Sequence, residues 1–132
     1  MAIFDDGKER MASGLLRTTT GTADASLFVA LFSANPGSDP SNSDITTNEL
    51  TGGGYSRKAV TLDEDSTGEE VTNDTAVSWT FTSTRTIAYA AVCESGTRGT
   101  NDLLFGSVVS SVTVGNGDTY SFAIGAIDLS FS

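Results

Sequence analysis

Leu27-Phe28-Val29-Ala30-Leu31-Phe32 is a run of six apolar residues with hydrocarbon at odd and even positions alike. Successive side chains of a strand point to opposite faces, so a strand built from this run must be covered on both. Val77-Ser78-Trp79-Thr80-Phe81-Thr82 reads differently. Its strict alternation predicts a half-buried strand with a hydroxyl-bearing outer face. Ile87 to Cys93 adds an alanine-rich strand whose small residues allow close approach of a facing layer, and Tyr55–Leu62 and Leu103–Val109 add two more. Val112-Thr113-Val114, Gly115-Asn116-Gly117-Asp118 and Thr119 to Ile124 predict a hairpin, because Asn-Gly favours a tight primed turn with positive φ at both positions. Gly125 then marks a bulge before Ile127, Leu129 and Phe131. Roughly seven or eight short strands separated by turn signals predict an all-β fold, an antiparallel β-sandwich or jelly-roll-like domain.

One helix is expected, at the front. Phe4 to Leu16 offers Asp5 or Asp6 as cap and Glu9 in the first turn, with Phe4, Met11 and Leu15 on one face. Gly7 and Gly14 each weaken it by about 1 kcal/mol relative to alanine. So short a helix must dock its apolar face on the rest of the domain or on a neighbouring subunit. The chain therefore divides into an N-terminal helix or arm, residues 1–20, and a β-sandwich domain, residues 21–132. Ser33 to Gly54 is a long polar connection holding Pro36, Pro40 and the run Gly52-Gly53-Gly54. Connections longer than about 15 residues are usually functional or mobile.

Composition narrows the function. The 132 residues carry 17 acidic and 7 basic side chains, a formal charge of −10. Such a surface repels phosphate, which argues against nucleic acid or an anionic membrane as partner. No apolar run approaches the roughly 20 residues of a spanning helix, and acids stand where a secretion signal wants lysine or arginine. The absence of histidine removes the commonest general base and metal ligand, and one cysteine cannot form an internal disulfide. Acid excess with two lysines against five arginines is also the composition of proteins working in concentrated salt.

Candidate chemistry is sparse. No GK[ST] follows Gly52-Gly53-Gly54, which reads as a sharp strand entry and not a phosphate loop. Asp63, Asp65 and Thr67 with Gly68 copy the first half of a calcium loop, and Asp74 falls at the twelfth position. Val71 at the ninth position and the strand-like flanks favour a solvated acidic hairpin, so no cofactor or metal is expected. Cys93, inside an apolar strand, reads as a small buried hydrophobe. No catalytic constellation emerges, and an enzyme is not expected.

Three segments together resemble a known family. They are Leu27–Ser33 with Asn35-Pro36-Gly37; Glu49 followed by Gly52-Gly53-Gly54-Tyr55-Ser56-Arg57-Lys58-Ala59-Val60-Thr61; and Leu103-Leu104-Phe105-Gly106 with Val114-Gly115-Asn116-Gly117-Asp118-Thr119-Tyr120-Ser121-Phe122. They are similar to the small tailed-virus proteins labelled phage tail fibre protein. The chain departs from that pattern at Thr84–Glu94, which lacks the family's tryptophan, histidine and glycine. The resemblance implies a virion structural protein. The expectation is a capsid decoration protein that binds the major capsid protein and stabilises the shell, as a homo-oligomer, with a trimer possible. The alternative is a tail fibre, tail-tip or adaptor component bound to tail proteins; a carbohydrate- or calcium-binding module is the third reading. Ile3, Phe4, Met11 and Leu15 are the expected contacts, with the loop from Asn35 and Pro36 to Glu49.

Overall fold

The computed structural model describes residues 2–3, 27–64 and 70–130. The elements run β1 (Ala2–Ile3), β2 (Leu27–Phe32), α1 (Asn42–Asn48), β3 (Lys58–Val60), β4 (Leu62–Glu64), β5 (Glu70–Asn73), β6 (Val77–Thr80), β7 (Arg85–Cys93), β8 (Leu103–Val114), β9 (Thr119–Phe122) and β10 (Asp128–Ser130). Every strand pair is antiparallel. They form a five-stranded sheet in the order β1-β8-β7-β2-β3, a three-stranded sheet β10-β5-β4 and a two-stranded ribbon β6-β9. The mostly-β, antiparallel part of the expectation holds.

The three sheets share one apolar core. Leu27, Val29 and Leu31 of β2 meet Val92, Leu104, Leu62, Val71, Val77, Trp79, Phe81 and Ile127 there. The even positions of β2 enter a second cluster on the other face, where Ala30 and Phe32 pack with Tyr89, Ala91, Cys93, Leu103 and Ile45 of α1. Both faces of Leu27–Phe32 are thus covered, as its unbroken hydrocarbon requires. The register of β7 on β8 shifts between Ile87 and Tyr89, so these residues, two apart, join different clusters.

The helix that covers the second face corrects the reading of Ser33 to Gly54 as a plain polar connection. Phe4 to Leu16 lies outside the described residues, and the described helix is α1, inside the connection read as polar and irregular. Its start is a capping box: the Ser41 side chain accepts from Asp44 N, and Asp44 bonds back to Ser41. Those bonds from Ser41, backbone first, hold the Asp44 carboxyl below its ordinary value. Seven residues are too few for a helix to persist alone, so Ile45 and the contacts described below must hold it.

A second correction concerns the expected Val112–Ile124 hairpin. β8 and β9 belong to different sheets, and β9 pairs with β6. Only Gly117 in the turn has positive φ, at 88°, so the turn is not of the primed type. Phe81 captures it, accepting from Gly117 N at 2.8 Å and donating to Asp118 O at 2.9 Å, which steers the chain onto β6. Buried Asn73 makes the equivalent junction at the other end. Its side chain donates to Thr75 O and Ala123 O and accepts from Ile127 N.

Candidate functional site

The densest polar arrangement among the described residues lies behind the five-stranded sheet, beside α1. Glu49 closes α1 and forms an isolated bridge with Phe32, which returns the chain to the edge of β2. The chain then steps out through Gly52-Gly53-Gly54 before β3 rejoins the same edge. All three glycines have positive φ, at 63°, 62° and 86°. A Cβ on Gly53 would lie 2.4 Å from Ser83 Oγ, and one on Gly54 would lie 2.6 Å from Thr80 O. Only glycine meets both demands.

That excursion delivers Arg57 into the interior, where it is 6% exposed. Its Nε donates to Glu49 Oε1 at 2.8 Å, and Nη2 to Glu49 Oε2 at 3.1 Å and Thr100 O at 3.0 Å. Nη1 donates to Asp102 Oδ1 at 2.9 Å and Ser95 O at 3.0 Å. All five guanidinium N–H groups are used, the condition under which a buried arginine is tolerated. Burial works against the charge, but the bonds to Glu49 and Asp102 hold the guanidinium's pKa above its ordinary value.

Glu49 also accepts from Tyr55 Oη at 2.7 Å and Gly99 N at 2.8 Å. Tyr55 Oη in turn accepts from Leu31 N at 3.2 Å, satisfying an amide that the stepped-out chain leaves without a ladder partner. Burial, then the Glu49 charge, pushes the Tyr55 phenol upward, so it stays a donor. Two carboxylates share one guanidinium, and Asp102 Oδ2 is buried without a hydrogen-bond partner. Burial accordingly raises the Asp102 pKa above its ordinary value.

Two further arginines fasten the same segment. Arg98 donates to Thr46 O, Glu49 O and Leu50 O at the carbonyl end of α1. Arg85 donates twice to Thr51 O and once to Thr84 O. Asn101 adds Pro40 O and the Asn42 side chain. The loop from Ser95 to Asp102 is thereby clasped over the helix. Cys93 lies within reach of this charge, yet burial outweighs Arg57 and pushes the thiol pKa up, so the cysteine is a poor nucleophile. The arrangement fixes structure; it does not present a reactive group.

The residues singled out from sequence fall in different places. Ile3 is in β1, paired with Phe105, whereas Phe4, Met11 and Leu15 lie outside the described residues. Asn35 is exposed and accepts from Gly37 N, and Pro36 is buried. Glu49 departs from the expected surface role: at 3% exposed, its carboxylate is consumed by Arg57. Asp63 belongs to β4, whose pairing with β5 makes this stretch a hairpin arm. Asp74 follows β5 and accepts the Thr61 hydroxyl, while Asp65 and Thr67 lie outside the described residues. Asp102 and Asn73 carried no sequence signal, because their partners lie far along the chain, and Arg57 entered only as part of a family-like segment, with no role read for it.

Comparison with protein families supplies what this geometry does not. The family described as podophage GP4 fiber I protein gp80 matches residues 4–130. The chain belongs to this family. It is therefore a phage fiber protein and a virion component. The fiber I match favours the tail-fibre alternative over the expected capsid decoration role. No curated protein matches the chain.

Proposed function

We propose that the chain is a structural component of a phage tail fibre, held in place by contacts with neighbouring tail proteins. The observation that carries this reading is the fiber I family match, which spans residues 4–130 and so takes in both the sheets and the clasp. The clasp suits the role. A part that transmits load needs a fixed backbone, and three arginines spend their donors on fixing the segment from Thr46 to Asp102.

The test is stoichiometry and location. Particles are separated into tail-free heads and detached tails, and the chain is quantified in each by mass spectrometry against the major capsid protein. The expected result is a few copies per particle, all with the tails. Hundreds of copies retained on tail-free heads would return the chain to the shell and overturn the proposal.

A further inference from the structure

We infer that the cleft between the carbonyl end of α1 and the start of β7 binds one acidic sugar unit, its carboxylate held by Arg85 and its hydroxyls by serine and threonine side chains. The cleft has a volume of about 400 Å³, the scale of a small-molecule site. Ser33, Thr47, Thr51, Thr84 and Thr86 line it, all five exposed. Half-buried Arg85 stands among them.

Arg85 is the anchor because part of its donor set is unspent. Nε and Nη2 donate to Thr51 O and Nη1 to Thr84 O, which takes three of the five N–H groups. One N–H remains on each terminal nitrogen, and the ion pairs among the described residues both belong to Arg57. The glycine turn holds the group still. A Cβ on Gly53 would lie 2.9 Å from Arg85 Cζ, and one on Gly52 would lie 3.3 Å from Nη2. A guanidinium seated against bare backbone and tied to two carbonyls is oriented before any ligand arrives, which lowers the ordering cost of binding. Two N–H groups on a fixed planar fork match the two oxygens of a carboxylate.

The rest of the lining indicates what the carboxylate is attached to. Glu49 also borders the cleft, but its oxygens are taken by Arg57, Tyr55 and Gly99, so Arg85 contributes the one uncommitted charge there. Leu50 is the single apolar lining residue and none is aromatic, which leaves little for a greasy or flat ligand to pack on. The hydroxyls of Thr47, Thr51 and Thr84 make no hydrogen bond among the described residues. Each can both donate and accept, as the hydroxyls of a sugar do. The net charge of −10 repels a dense polyanion, which favours one acid group set among neutral hydroxyls, as in a uronate.

The inference is independent of the fibre reading, since it concerns the isolated chain. Titration of the isotope-labelled chain with sodium glucuronate, followed by its amide and Arg85 Nε–H nuclear magnetic resonance signals, tests it. Saturable shifts at Thr51, Thr84, Arg85 and Thr86 are expected, with a Kd of about 1 mM. Glucose lacks the carboxylate, and glutamate and sulfate lack the sugar hydroxyls, so each should bind about tenfold more weakly. Arg85→Lys keeps the charge but not the fork and should weaken glucuronate binding about tenfold or more. Thr47→Val and Thr84→Val should each weaken it about threefold and leave sulfate unchanged. If Arg85→Lys loses the dispersed spectrum of the fold, the two valine variants decide. No saturation, shifts confined to another surface, valine variants without effect, or glucose, glutamate or sulfate binding as tightly as glucuronate overturns the inference. A chain that binds glucuronate yet stays on tail-free heads overturns only the fibre assignment.

Discussion

The two faces of β2 are secured by different means. The odd side chains enter a core shared by three sheets, where Trp79 and Phe81 are among the largest fully buried groups. The even side chains meet a smaller cluster roofed by one seven-residue helix with one buried residue, Ile45. Hydrocarbon burial contributes about 25 cal/mol per Å², so the small cluster has little to hold its roof with. Hydrogen bonds from three arginines supply the difference. A sheet can thus be fastened by apolar area on one side and by directional polar bonds on the other.

Substitutions separate the two modes. Trp79→Ala should have the largest effect, about 3–5 kcal/mol, because it opens a cavity in the core and abandons Ser56 O. Urea unfolding followed by far-ultraviolet circular dichroism reads it, and a midpoint close to wild type would mean that the indole is not packed as described. Arg57→Met should cost nearly as much, about 3–5 kcal/mol, by leaving Glu49 and Asp102 buried without a counter-charge. The two losses should part with pH. Acidification neutralises the stranded carboxylates and should restore stability to Arg57→Met, but not to Trp79→Ala. Equal responses would mean that the clasp is held by packing alone.

Asp102 sharpens the contrast at smaller scale. Its pKa is raised in the folded protein, so the native state binds that proton more tightly than the unfolded chain. Between the ordinary 3.8 and the raised value, its contribution to stability therefore falls as pH rises. Asp102→Asn keeps an acceptor for Arg57 and should remove that slope, changing stability at neutral pH by about 1 kcal/mol or less. Urea midpoints taken from about pH 4 to about pH 7 check it; unchanged slopes would assign the pH dependence elsewhere. Ser41→Ala should cost about 1 kcal/mol, confined to one helix, by removing the cap of α1. Amide exchange should localise that loss to Asn42–Glu49 and leave β6 untouched.

What the sequence discloses follows the same division. Apolar periodicity reports apolar packing, so the two-sided burial of Leu27–Phe32 and the alternation of Val77–Thr80 are both legible. The polar side is not. Asn42–Asn48 has a single apolar residue and no period, and only the spacing of Ser41 and Asp44 hints at a helix. Arg57 shows nothing of its buried role, because Glu49 and Asp102 stand 8 and 45 residues away, beyond any local pattern. The β8–β9 turn misleads for a related reason, since Phe81, a distant residue, decides where the chain goes next.

Ser33 N donates to Asn48 O at 2.8 Å, and Leu50 N to Leu31 O at 3.0 Å, so the chain leaves β2 and returns to it at one narrow gate. Closure entropy grows slowly with length, about 0.6 kcal/mol for each doubling, so the gate is nearly indifferent to how much chain passes through it. Exposed Ser38-Asp39 is consequently a splice point, where a guest peptide can be displayed while the β2 ladder beneath stays paired.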